Sequence, residues 1–123
     1  MAWVVDYFTD AAGRSPFREW RDALSDLAAA AVDAKIASDI RPDGPFAGSS
    51  TDHGADFFSV PVHFGGVRLR VYYTAEHATS TVWLLHGYDI AADPAPERAA
   101  RETAETEAAR RTLARWEQQR RAR

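Results

Sequence analysis

Phe57-Phe58-Ser59-Val60-Pro61-Val62-His63-Phe64-Gly65-Gly66-Val67-Arg68-Leu69-Arg70-Val71-Tyr72-Tyr73-Thr74 is the stretch that decides the fold. Two alternating segments meet at Gly65-Gly66, the composition a two-residue hairpin turn favours. A hairpin centred there sets Phe58, Val60, Val62 and Phe64 opposite Tyr73, Val71, Leu69 and Val67, all on one face. A slip of one residue would send half of these side chains to the wrong side, so the register is specified. The other face then carries His63 across from Arg68, Pro61 from Arg70 and Ser59 from Tyr72. Pro61 has no N–H to offer an outer neighbour, so this strand is expected to be an edge near Pro61.

Working outward, Thr81–His86 is apolar on both faces, which suits an interior strand covered on both sides. Upstream, Ala2–Thr9 is rich in β-branched and aromatic residues and reads as a strand. Ser15-Pro16 then opens a helix, since serine caps free N–H groups and proline tolerates the first helical position. Phe17, Trp20, Leu24 and Leu27 form one apolar stripe, and Ala28, Val32, Ile36 and Ile40 a second, with Ser25-Asp26 as the break. Arg41-Pro42-Asp43-Gly44-Pro45 is expected to end that helix and to begin a polar loop reaching Gly54. Downstream, Asp93-Pro94 or Pro96-Glu97 opens a long polar helix whose large apolar anchors are Leu113 and Trp116. The pattern is α+β, in the order β-α-α-β-β-β-α, with a small antiparallel sheet packed on two N-terminal helices. Residues 1–92 form one domain, and the helix in 93–123 belongs to it.

The chain of 123 residues is 46% apolar and 27% charged, an ordinary globular balance that argues against disorder. Size scaling gives about 6,600 Å² of folded surface, so a core can form without covalent staples. No cysteine is present, which excludes disulfides, thiolate metal sites and thiol nucleophiles. No apolar run is long enough for a transmembrane helix. Met1–Asp6 lacks a basic region followed by a long apolar one, so a signal peptide is not expected and the cytoplasm is the expected location. Residues 1–92 hold 7 Lys and Arg against 12 Asp and Glu, whereas the stretch from Ala109 onward holds 6 against 1. A basic tail on an acidic body can track phosphate, or simply offset a helix dipole.

Phosphate-binding glycine loops, HExxH and GxSxG are all missing, and the four histidines are scattered, so no metal site and no small-molecule cofactor is expected. His53 and His77 fall in loops, where solvated histidines are ordinary. Arg68, Arg70 and Tyr72 share one face of a strand whose other face is core. Two guanidinium groups there must be paired, solvated or facing an anion, because burying them alone is expensive. Planar forks of this kind suit a phosphodiester. His86, beside Gly87 and Tyr88, is of the residue type that serves as acid or base near neutral pH. Whether it shares a face with Arg70 depends on a strand register that the residues leave open.

Three stretches carry a family resemblance: Ser15-Pro16-Phe17-Arg18-Glu19-Trp20, Arg70-Val71-Tyr72-Tyr73 and Val82-Trp83-Leu84-Leu85-His86-Gly87-Tyr88. Together with the element order, they make the chain resemble the RelE/HigB-type toxins of bacterial type II toxin–antitoxin modules (RelE/ParE superfamily) over about residues 3–110. The resemblance implies a metal-independent, ribosome-dependent mRNA endoribonuclease, an mRNA interferase inhibiting translation, with a cognate antitoxin, the ribosome and mRNA as partners. Cleavage through the RNA 2′-hydroxyl needs a base, a cation beside the scissile phosphate and an acid for the leaving oxygen. Arg70, with Arg68 assisting, is then the phosphate ligand, and His86 or His63 is the acid or base. Tyr72 and Tyr88 stack on a base or donate a hydrogen bond. Pro61 stands where many relatives carry arginine, and Asp89-Ile90-Ala91-Ala92 where they carry lysines. Two other expectations therefore stand beside the first: a catalytically degenerate RelE-fold protein that acts by binding a protein, and a ParE-like toxin with a target other than mRNA.

Overall fold

The computed structural model describes residues 2–90 and 95–122. The expected hairpin is its centre. Strand β3 (Phe57–Phe64) pairs antiparallel with β4 (Val67–Glu76) in the register read from the sequence, from Phe57 opposite Thr74 to Phe64 opposite Val67. Gly65 and Gly66 take φ of 52° and 85°, the two positive values that close such a turn. β5 (Thr81–Asp89) pairs antiparallel with β4 and is interior, as its two-sided apolar pattern requires.

The neighbour on the far side of β5 is β1 (Val4–Tyr7), and it runs parallel, Val4 beside Thr81 and Tyr7 beside Leu84. The sheet is therefore mixed rather than antiparallel. A two-sided interior strand needs a second partner, and β1 supplies it, with Val5 beside Val82 and Tyr7 beside Leu84 over the same core. A short strand that the sequence reading placed in a loop, β2 (Thr51–Asp52), pairs with Ser59 and Phe58. The order is β1-β5-β4-β3-β2. Because β2 stops short, the outer side of Pro61 remains an edge, as its missing N–H demands.

Helix α1 (Pro16–Asp22) begins at Ser15, whose hydroxyl accepts a hydrogen bond from Arg18 N at 3.3 Å, with Pro16 in the first turn. Helix α2 (Asp26–Lys35) begins at Ser25 in the same way, accepting from Ala28 N at 3.2 Å. The Arg21 guanidinium grips both Asp33 carboxylate oxygens, at 3.2 and 2.5 Å, and ties the two helices together. Leu27 departs from the expected stripe and is 52% exposed, because α1 ends at Asp22 and the Ser25 cap resets the helical phase. Ala28, Val32, Ile36 and Ile40 are buried as their spacing requires.

The helix does not end at Arg41-Pro42. It widens into a π-turn over Ile36–Ile40 and continues as α3 (Arg41–Asp43) and a 3-10 turn at Gly44–Phe46. The wider turn directly before Pro42 relieves the clash a proline ring makes with the carbonyl four residues back. Helix α4 (Arg98–Arg121) follows a 3-10 turn at Ala95–Glu97, so the Pro96-Glu97 opening is realised and the Asp93-Pro94 one lies outside the described residues. Among the described residues no helix is long and apolar enough to cross a membrane. The molecular surface is 6826 Å², close to the size expectation.

Two cores lie on the two faces of the sheet. On one, Phe17, Val32, Ile36 and Ile40 pack against Phe58, Val60, Val62, Leu69, Val71 and Tyr73. Phe64 was expected among them but is 59% exposed, because the hairpin tip runs beyond the helices. On the other, Phe8, Phe57, Tyr72, Leu85 and Tyr88 are covered by Ala109 and Leu113 of α4, with Trp116 at the margin. The long helix thus packs on its own sheet. Gly87 faces the first core, where a Cβ would lie 2.0 Å from the Trp20 ring. Gly87→Ala is expected to destabilise the fold by about 1–3 kcal/mol through overpacking. Gly48→Ala, where a Cβ meets nothing within 4 Å, serves as the control and should change stability by less than about 0.5 kcal/mol in urea unfolding.

Candidate functional site

The α4 side of the sheet collects most of the residues singled out from the sequence, and an irregularity in β5 is what brings them together. Tyr73 pairs with Leu84 but Tyr72 pairs with His86, so Leu85 is an extra residue on β5. Without it, His86 would point into the core beneath α1 and α2. With it, Leu85 and His86 both face α4, His86 lies directly across from Tyr72, and Tyr88 directly across from Arg70. The open question of the His86 face is settled by this bulge.

Helix α4 covers this row with a matching row of polar groups. Arg70 Nη1 donates to Glu102 Oε1 in a close ion pair. Burial works against the Arg70 cation, and the Glu102 carboxylate outweighs it, leaving the guanidinium pKa raised. Tyr72 and Thr106 share a hydrogen bond of 2.9 Å. The Thr106 hydroxyl proton goes to the Glu102 carbonyl, so the Tyr72 hydroxyl is the donor. His86 Nε2 lies 2.6 Å from Glu105 Oε2, and since a carboxylate only accepts, Nε2 carries the proton. The other ring nitrogen, Nδ1, has no hydrogen-bond partner among the described residues and in the neutral ring is a free base. Arg101 Nε donates to the second Glu105 oxygen at 3.0 Å, and its guanidinium sits 5.7 Å from the Tyr88 ring centroid.

The structure therefore joins Arg70, Tyr72, His86 and Tyr88 and leaves Arg68 and His63 apart. The latter two face each other across the hairpin near its tip, both exposed. The expected stacking of Tyr72 and Tyr88 on a nucleobase needs correction for this arrangement. Tyr72 is fully buried, stacked on Phe57 at 5.8 Å, and Tyr88 is 3% exposed, so neither ring offers a face while α4 stays in place.

One histidine departs from its expected surroundings. His53 lies in a loop, directly after β2, but it is not fully solvated. It is half-buried beside Phe57 and Tyr72, with Nε2 2.8 Å from the Ser59 hydroxyl. Arg110 of α4 reaches over the same corner, its guanidinium 4.9 Å from the Phe57 ring centroid. Burial first, and then the Arg110 and Arg70 cations, push the His53 pKa below its ordinary 6.5. The short strand β2 that carries it in has no sequence signal beyond Thr51. Among the described residues no group of three or more His, Cys, Asp or Glu is placed to hold a metal ion.

No protein-family model matches the chain, and no curated protein matches it in sequence. Among solved structures it is similar to the E. coli toxin RelE, in the free state and carrying two arginine-to-alanine substitutions. The two are 15% identical with a TM-score of 0.55, and the match covers 83% of this chain and 98% of that one. At that identity the likeness is one of fold: this chain has a RelE-like fold. The additional β2 and α3 are details in which it differs from the element order read from the sequence.

Since the folded chain binds a proton at His53 less readily than the unfolded chain, acidification through the region below 6.5 removes stability at this position. Urea midpoints of the wild type and of His53→Gln, taken at about pH 7.5 and about pH 5, should show a larger fall in the wild type. Parallel falls would mean that His53 titrates in the fold as it does in the unfolded chain.

Proposed function

We propose that this chain is the toxin of a toxin–antitoxin pair, acting as a metal-independent, ribosome-dependent mRNA endoribonuclease whose active face is the α4 side of the sheet. The observation that carries the reading is the β5 bulge, which turns His86 towards Tyr72 and sets it next to the row containing Arg70. A phosphate ligand, a hydroxyl donor and an imidazole base then stand on adjacent positions of two central strands. Bulges recur beside active sites because they re-aim one side chain without disturbing the sheet around it.

In this mechanism His86, held in one orientation by Glu105, accepts the proton of the attacking 2′-hydroxyl at Nδ1. The Arg70 fork holds the phosphate oxygens as negative charge builds on them. Arg68, exposed one pleat further along β4, adds positive charge on the same face. His63, opposite Arg68 near the hairpin tip and apart from His86, is a candidate contact to RNA beyond the scissile phosphate, and the proton taken up by His86 is the one available to the leaving oxygen. Tyr72, whose hydroxyl is bonded to Thr106 in the described conformation, becomes a donor to the substrate only when that bond is exchanged, and Tyr88 shapes the floor beneath Arg101. In the described conformation Glu102 occupies Arg70, so the phosphate must replace that carboxylate. The partners of this reading are the ribosome with its mRNA, and a cognate antitoxin, with the cytoplasm as the place of action.

The same carboxylate supports a second reading. With Glu102 on Arg70 and Glu105 on His86, the face is internally neutralised, as suits a RelE-fold protein that acts only by binding another protein. Controlled expression followed by mapping of mRNA 5′ ends separates the two. Growth arrest with in-frame cuts is expected, with cleavage falling about 10²–10³-fold in Arg70→Ala, the usual cost of one lost transition-state donor. Arrest without cuts would move the target away from mRNA, as in a ParE-like toxin. Folded protein with neither arrest nor cuts would favour the binding reading.

A further inference from the structure

Helix α4 presents two flanks of different charge. The flank over β3 and β4 opens a cleft of mixed charge, lined by Glu102 and Glu107 together with Arg110 and His53. The flank towards α1 opens another, of about 450 Å³, lined by Pro16, His86, Ala108, Arg111, Thr112 and Arg115. None of these lining residues is acidic, and three of the six can carry positive charge. Of the carboxylates nearby, Glu105 is engaged on one oxygen by His86 and on the other by Arg101, and Asp10, which lines the adjoining cleft with Arg115, accepts from the Ala12 and Arg14 backbone N–H groups.

Arg111 and Arg115 are both exposed, and among the described residues neither has a carboxylate partner. They lie one turn apart, about 6 Å along the helix axis, a spacing at which like charges repel and cost helix stability. Arg115 is nevertheless held in place: its guanidinium donates to the Thr112 hydroxyl at 3.2 Å and lies 5.7 Å from the Phe8 ring centroid. Ala108 places only a methyl group between Glu105 and the arginines, so the gap leading to His86 stays open. Two planar forks line a cleft that His86 also lines, and such forks are the donor type that suits phosphodiester oxygens.

We propose that this cleft is a phosphodiester-binding site that takes single-stranded RNA by its backbone, so that RNA reaches His86 from the α1 side of α4. RNA as the source of the phosphodiester rests on the nuclease reading above, whereas the anion site itself rests on the cleft. The arginines of α4 thereby gain a role distinct from that of Arg70. The glutamates shield the sheet on one flank, and Arg111 and Arg115 receive the substrate on the other.

The test is binding of a fluorescein-labelled single-stranded RNA oligonucleotide, followed by anisotropy at several salt concentrations. Arg111→Gln/Arg115→Gln is compared with Arg41→Gln/Arg121→Gln, which removes the same charge outside the cleft. The cleft pair is expected to weaken binding about tenfold and to reduce the salt slope by about 1.4, the loss of two phosphate contacts on a single strand. The control pair should bind within about twofold of wild type. Equal weakening by both pairs, or wild-type binding by the cleft pair, would overturn the proposal. Circular dichroism of each variant separates lost binding from lost folding. Cleavage is read separately: an RNA-binding defect confined to the cleft pair, in a protein that cuts no mRNA, would keep the site and remove the nuclease. Normal binding and cutting by the cleft pair, with loss in Arg70→Ala, would do the reverse.

Discussion

The extra residue at Leu85 is the constraint on which the site depends. A strand alternates its side chains strictly, so a regular β5 could offer the α4 face Trp83, Leu85 and Gly87, and would bury His86 and Tyr88 under α1 and α2. One bulged residue reverses the alternation beyond it. Leu85 then fills the second core beside Phe8 and Tyr72, Gly87 lets Trp20 close onto the sheet, and His86 and Tyr88 join Arg70 and Tyr72. The packing of α1 and the composition of the candidate site thus follow from the same local irregularity.

Helix α4 does two things whose demands conflict. It completes the second core, and it lies over the polar row. Its apolar anchoring is modest: Leu113 is the one large aliphatic side chain buried on it, worth about 1.5–3 kcal/mol, with Ala109 and half-buried Trp116 beside it. The remainder is polar, namely Glu102 on Arg70, Thr106 on Tyr72, Glu105 on His86 and Arg120 on the largely buried Glu76. Partly exposed polar contacts contribute little each, but three ion pairs and one hydrogen bond along one helix fix its rotation and its register over the sheet. Which side chains of α4 meet the site is decided by these pairs.

Charge is arranged along this helix as well as along the chain. Its first half carries Glu102, Glu105 and Glu107 against Arg98 and Arg101, and its second half Arg110, Arg111, Arg115, Arg120 and Arg121 against Glu117. The acidic part lies on the arginine-bearing end of β4, while the basic part reaches the acidic end at Glu76 and the margin by α1. The helix is electrostatically matched to its own sheet. A RelE-like fold alone does not specify an activity, since function resides in the groups a fold displays. Here the display is Arg70, Tyr72 and His86 on the sheet and Arg111 and Arg115 on the helix.

The sequence by itself determined the hairpin and its register, the Ser15 cap, the break at Ser25-Asp26, the buried face of α2 and the interior position of β5. Each of these is local or periodic: Gly65-Gly66 admits one turn geometry, Ser15-Pro16 one helix start, and alternation one pairing. It also picked out Arg70, Tyr72, His86 and Tyr88, because arginine and histidine beside a core pattern are chemically conspicuous. Only the tertiary structure decided that these four share a face, that β1 runs parallel to β5, that β2 exists and brings in His53, and that α4 covers the site. A bulge adds one residue without altering composition or local hydrophobicity, and a two-residue edge strand is defined by its partner alone. The placement of a polar helix is set by ion pairs between residues far apart in the chain, 32 positions for Arg70 and Glu102 and 19 for His86 and Glu105, which no local pattern of sequence reveals.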